Sequence, residues 1–156
     1  MSHDENRRSL LGGASGSDAP VDVLRRADFG VLGLTKESEA YTVPLSFGYD
    51  DELTTLYFLL AFDEGSKKRE CMATTDVASF VVVDSELPDA WQSIHFTGTL
   101  DRVPEEKTEV AYQTLAETAA FPALYTFEEY VEESTAEQEL YGFDVETVSA
   151  RQNSTA

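Results

Sequence analysis

Three consecutive cations, Lys67, Lys68 and Arg69, stand at the end of the stretch YFLLAFDEGSKKR in a chain with 30 acidic residues and 11 basic ones. Setting three like charges side by side costs repulsion, so a counter-ion is a physical reason to place them here. An apolar strand passing through Gly65 and Ser66 into a helix also aims backbone N–H groups at an anion, and a phosphate is the natural ligand of that geometry. The alternative is a solvated patch that offsets nearby acids. The other reactive residue types are sparse. Cys71 is the only cysteine, which excludes an internal disulfide and a thiolate cage, and on a short helix it reads as an inert core residue rather than a redox thiol. His3 and His95 do not make a metal-ligand pattern, so no metal is expected. His95 falls on the polar side of a strand and reads as a surface residue.

The elements that must hold this cluster follow from the hydrophobic period. Met1 to Ser17 is polar, rich in Gly and Ser and without periodicity, and reads as a disordered tail; 18–151 reads as one folded domain and 152–156 as a second tail. Asp18 to Asp28 reads as a short helix with Pro20 in its first turn and Val21, Leu24 and Ala27 on one face. From Phe29 the period becomes two. Gly30 to Thr35 is a small-residue strand, and Tyr41, Val43, Leu45, Phe47 and Tyr49 alternate with polar or small residues in a second. Pro44 lacks the N–H of a central strand, so this strand should be an edge, or open at that point, which leaves backbone groups to a ligand. Thr55 to Phe62 and Val77 to Asp84 read as buried strands, with a helix from Ser66 to Thr74 between them. Ile94, Phe96, Gly98 and Leu100 mark a long amphipathic strand, Pro104 opens a helix running to about Ala119, and Tyr141, Phe143 and Val145 mark a last strand. Phe121 to Glu139 is heavily acidic and reads as helical or irregular. Six mostly antiparallel strands with short flanking helices suit a small split β-barrel better than a parallel sheet, because helical crossovers are missing.

Composition narrows the function classes. With 156 residues, 42% hydrophobic content and 11% aromatics, the chain can build one real core. A net charge of −19 argues against nucleic acid and anionic membranes as partners. Acids spread along the whole chain, against four lysines, suit a protein kept soluble in concentrated salt, so a halophilic cytosol is the expected setting; an ordinary acidic cytosolic protein is the alternative. At 1 M salt the Debye length is about 3 Å, so only cations in contact with a ligand would matter. No apolar run approaches the roughly 18 residues of a membrane span, and the N-terminus shows no secretory signal, so a cytoplasmic protein is expected.

Three motifs in order resemble the pyridoxamine 5′-phosphate oxidase-like FMN-binding split barrels, especially the branch with the nitroimidazole-resistance proteins. They are GVLGLT followed by YTVPLSFGYDD, LYFLLAFDEGSKKREC, and WQSIHFTGTLDRV followed by a helix. The resemblance covers roughly Leu24 to Arg151. It implies that FMN is the cofactor and that Ser66, Lys67 and Lys68 contact its phosphate. It further implies that Val43, Pro44, Leu45 and Ser46 line the isoalloxazine, with Leu60 and Ala61 on the neighbouring strand and Ser93 at another flavin-contacting position. It also implies a homodimer with the flavin at its interface and a small-molecule electron donor and acceptor. Two departures narrow it. The second strand offers Thr42 and Phe47 where pyridoxamine 5′-phosphate oxidases proper place basic residues, and their C-terminal substrate-phosphate motif is absent, so vitamin B6 oxidation is not expected. Leu59 stands where the nitroimidazole-resistance branch commonly has a histidine.

The resemblance makes a flavin-dependent oxidoreductase the leading expectation, with the cofactor doing the electron transfer and no side chain needed as acid or base. A non-catalytic flavin store, a deazaflavin-dependent reductase on the same barrel and a haem-binding relative are the alternatives. A deazaflavin's polyanionic tail demands more cations than this cluster offers, and haem lacks a convincing axial His or Cys.

Overall fold

A computed structural model describes residues 19–62, 67–85, 90–118 and 137–153. The expected tail at 1–17, Ser66 and the acidic stretch from 119 to 136 lie outside the described residues. Helix α1 (Pro20–Arg26) starts with proline in its first turn, as Pro's fixed φ favours, and buries Val23 and Leu24. Strand β1 (Gly30–Lys36) turns at Glu37, whose φ is 56°, into β2 (Glu39–Leu45). Strand β3 (Gly48–Tyr49) is a two-residue fragment, followed by β4 (Thr55–Phe62), helix α2 (Lys67–Thr74) and β5 (Ala78–Asp84). The long β6 (Gln92–Arg102) leads through a 3-10 turn at Glu105–Lys107 into α3 (Thr108–Thr118), and β7 (Glu137–Gln152) completes the sheet.

The strands form one antiparallel sheet in the order β2-β1-β5-β6-β7-β4-β3. The sheet holds seven strands rather than the six expected. The period-two pattern from Tyr41 to Tyr49 suggests one strand, but the chain leaves β2 after Leu45 and buries Phe47, Gly48 and Tyr49 in succession. Phe47 is the reason: its ring lies 5.3 Å from Phe80 and 6.0 Å from Tyr49, so core packing overrides the alternation. The last strand also starts earlier than expected, at Glu137, because Gln138 to Leu140 pair with Leu59 to Ala61 of β4. Pro44 sits in β2, the outermost strand beside β1, where a missing N–H need not interrupt a ladder on both sides.

The core lies on one face of the sheet around Phe58, Phe80, Phe96 and Phe143, all fully buried. Phe58 contacts Phe80 at 4.9 Å and Phe143 at 6.0 Å between ring centroids. Helix α3 packs over β3 and β4 through Ala111 and Leu115. Among the described residues no helix is long and apolar enough to cross a membrane.

Candidate functional site

Two strand edges face each other where the sheet fails to close. Strand β2 pairs with β1 on one side only. Strand β4 pairs with β7 along its whole length, but on its other side β3 covers only Leu56 and Tyr57. Between these edges lies a pocket of 140 Å³. Val43, Pro44, Leu45 and Ser46 enter it from the end of β2, and Leu59, Leu60 and Ala61 from β4. Lys68 closes one end from α2 and Leu115 another from α3.

The position of Lys68 is set by how α2 docks. Cys71 is fully buried beneath the helix, as expected of a core thiol. The helix C-terminus is tied to β1, where the Thr74 hydroxyl donates to the Thr35 carbonyl at 2.8 Å and the Thr35 N–H donates to Thr75 Oγ1 at 2.9 Å. At the surface Lys36 pairs with Glu70 at 2.9 Å, which raises the lysine's pKa and lowers the glutamate's. Held this way, Lys68 donates from Nζ to the carbonyl of Ala61 at 2.7 Å and lies 5.7 Å from the centre of the Phe62 ring. The amine is thus fixed on a strand edge at the pocket wall, with N–H donors remaining for an anion.

The three-cation cluster is divided by its partners. Lys67 forms a surface ion pair with Glu39 at the start of β2. Arg69 turns to the other side, stacking at 4.3 Å over Phe62 and reaching Glu139 of β7 at 3.2 Å. Glu139 is one of the two buried charged residues among those described, and it also takes Arg102 at 3.3 Å and the Tyr141 hydroxyl at 3.1 Å. Burial first, then the Glu139 carboxylate, raises the Tyr141 pKa, which keeps that hydroxyl a donor. Lys68 is therefore the member of the cluster that lines the pocket. Replacing Glu139 with Ala should lower stability by about 1–2 kcal/mol, less than a fully buried pair because both arginines are partly exposed. Thermal unfolding of Glu139→Ala against wild type measures this, and an unchanged melting temperature would contradict it.

Of the expected flavin-contacting residues, seven meet in the pocket: Val43, Pro44, Leu45, Ser46, Leu60, Ala61 and Lys68. Lys67 lies beside it on the surface, Ser66 is outside the described residues, and Ser93 sits on β6, paired with Val83 and Arg151. Two lining residues were not anticipated. Leu59 lies in an apolar run and was marked only by the resemblance, as the position of a histidine in the nitroimidazole-resistance branch, and Leu115 follows Ala111 at helical spacing, a signal that indicates packing but not the surface packed against. Two further hollows are larger. One of 410 Å³ lies between the end of α1 and the β1–β5 surface, beside the Arg26–Asp84 pair at 2.6 Å, and one of 450 Å³ lies around Arg102 and Tyr112. Size favours them, but neither lies between unpaired strand edges, so the smaller pocket is the candidate site. Among the described residues no cluster of side chains could hold a metal ion.

Comparisons with known proteins agree with this architecture. An FAD-binding protein of Mesorhizobium loti has a TM-score of 0.63 at 22% identity, over 86% of this chain and 92% of its own. An FAD-binding protein of Mycobacterium smegmatis gives 0.60 at 16%, over 86% and 93%. A candidate 5-nitroimidazole antibiotic resistance protein of Bacteroides thetaiotaomicron gives 0.59 at 15%, over 85% and 81%. No curated protein matches significantly. The family model described as pyridoxamine 5′-phosphate oxidase matches residues 17–152, nearly the whole chain. With its antiparallel, unclosed sheet and short helices, this chain belongs to the pyridoxamine 5′-phosphate oxidase family of split-barrel proteins.

Proposed function

We propose that this protein binds FMN in the pocket between β2 and β4 and works as a flavin-dependent oxidoreductase in a salt-rich cytoplasm. The single supporting observation is the placement of Lys68, a cation fixed on the rim of a mostly apolar slot between two unpaired strand edges. A flat, polar-edged ring system needs apolar walls and in-plane hydrogen-bond partners, and a strand edge offers the latter as backbone N–H and C=O groups. Lys68, and Lys67 and Ser66 beside it, would hold the phosphate, while Val43 to Ser46, Leu60 and Ala61 would flank the ring. The flavin, when bound, supplies hydride or electron transfer. Lys68 and the Ser46 hydroxyl are the lining side chains with hydrogen-bonding groups, so the protein's part is to bind, orient and keep water from the ring.

The pocket volume of 140 Å³ is below the roughly 300–1,000 Å³ of small-molecule sites. A homodimer that walls the site with a second copy supplies the remainder, and Ser93 would enter the site in that assembly. A non-catalytic flavin store is the second reading, favoured by Leu59, which leaves the lining without an imidazole.

The test begins with purification in high salt, a visible spectrum, and identification of what denaturation releases. A flavin spectrum with FMN released is expected; a deazaflavin, haem or no chromophore after incubation with FMN would reject the assignment. Anaerobic mixing with NADH or NADPH then separates an oxidoreductase, whose bound flavin is reduced, from a store, whose flavin stays oxidised.

A further inference from the structure

Where β6 ends, a stretch of β7 is left without a neighbour on one side, and the hollow of 450 Å³ lies there. The open edge follows from the register. In an antiparallel strand the N–H and C=O of one residue point to one side and those of the next residue to the other. The Leu140 carbonyl accepts the Val103 N–H at 3.0 Å, so Gln138, two residues earlier, also turns its N–H and C=O to that side. Strand β6 stops at Arg102, opposite Tyr141, so it does not reach them. The other neighbour agrees: Ala61, directly across from Gln138 on β4, gives its carbonyl to Lys68 in the flavin pocket. The two residues thus stand back to back, each serving a different hollow. Arg102 and Glu105 both line the larger one and do not pair with each other. Among the described residues, the ion-pair partner of Arg102 is Glu139, at 3.3 Å through one nitrogen, and Glu105 has none. The Glu139 side chain, 4% exposed, anchors Arg102 while Arg69 and the Tyr141 hydroxyl occupy its remaining lone pairs. Val103, Leu140 and Tyr112 pack together as the apolar part of the lining.

We propose that this hollow binds a free α-amino acid with an apolar side chain. The Arg102 guanidinium keeps most of its five N–H donors beyond the one turned to Glu139, in a planar fork that matches a carboxylate. Glu105 and the Gln138 carbonyl accept from an ammonium group, and the Val103, Leu140 and Tyr112 surface takes the side chain. The presence of both charges selects this class over simpler ones. A plain carboxylate would meet Glu105, and a plain amine would meet Arg102 and find acids everywhere else on a chain of net charge −19. A zwitterion satisfies both groups, and its zero net charge is neither drawn nor repelled by the rest of the surface. The volume lies within the roughly 300–1,000 Å³ of small-molecule sites. The binding reaction needs no flavin, so it stands apart from the function proposed above.

The experiment is a ligand-observed NMR titration of the full chain in high salt, with far-UV circular dichroism on every variant. The probes are L-leucine and L-phenylalanine, each set against its analogue without the amino group and its analogue without the carboxylate. At least one amino acid should bind, and both of its analogues at least about tenfold more weakly, as the loss of one charge-assisted contact implies. Arg102→Gln should weaken the amino acid by at least about tenfold. Glu105→Gln should bring the amino acid down to the level of its analogue without the amino group, while leaving that analogue's own binding unchanged. Binding of neither amino acid overturns the proposal, as do analogues that bind equally well, or folded variants that bind like wild type. Glu105→Gln decides if Arg102→Gln misfolds through the loss of a Glu139 partner. Because no FMN enters the titration, failure here leaves the flavin assignment intact, and a protein that takes up no flavin can still show the amino-acid site.

Discussion

Lys68→Ala should lower FMN affinity about a hundredfold, as expected for one charge-assisted contact to a doubly charged phosphate. The effect concentrates on Lys68 because its neighbours in the cluster have other partners, Glu39 for Lys67 and Glu139 for Arg69. The fold should tolerate the change, since the side chain contributes one hydrogen bond to the Ala61 carbonyl and a contact with Phe62. Fluorescence titration with FMN and with riboflavin gives the decisive comparison. Wild type should prefer FMN, whereas Lys68→Ala should bind the two about equally, because the lost term belongs to the phosphate. A variant that keeps the full preference would place the phosphate elsewhere. Screening cannot explain such a result, because at 1 M salt the Debye length of about 3 Å still spares a contact-range pair.

Gly98→Ala should be the most damaging single-methyl change, costing about 3 kcal/mol or more. A Cβ at Gly98 would stand 2.8 Å from Cε1 of Phe143 and 2.9 Å from the carbonyl carbon of Asp144, with the Asp144 carbonyl oxygen closer still. The register between β6 and β7 shifts at this point, and the bulge brings the backbone of β7 against β6, so the neighbour that must yield is main chain inside a sheet. Phe143 is fully buried and already engaged with Phe58, which leaves the ring no place to go. Gly142→Ala is the matched control: its Cβ would meet nothing nearer than 3.9 Å. Thermal unfolding should separate the two variants by roughly 10 °C in a domain of this size. Equal melting temperatures would show that the two strands can part at the bulge without loss.

Most elements were legible because burial on one face writes itself as a period of two. Thr55–Phe62 is the strand expected from its apolar run, and the helix after it begins where the cations do. The same periodicity misled at Phe47, where alternation continued through a break, because an aromatic ring entering the core from irregular chain leaves the same pattern as one entering from a strand. The pocket residues from Val43 to Ser46 were marked by Pro44, whose missing N–H announces an edge. Leu115 carried no such mark, since an apolar residue on a helix reports that it packs and not on what.

Sequence alone determined the sheet-forming segments, the acidic character of the chain and the location of its densest positive charge, since each depends on residues adjacent along the backbone. Tertiary structure decided how that charge is apportioned. Arg69 meets Glu139 across 70 positions of chain and Lys67 meets Glu39 across 28, and such pairings arise only when β7 and β2 are brought up to α2. The fold also brought Val43 to Ser46 of β2 together with Leu59 to Ala61 of β4 around one pocket, which no stretch of the sequence displays, because the pairing of strands is fixed by packing and not by chain order.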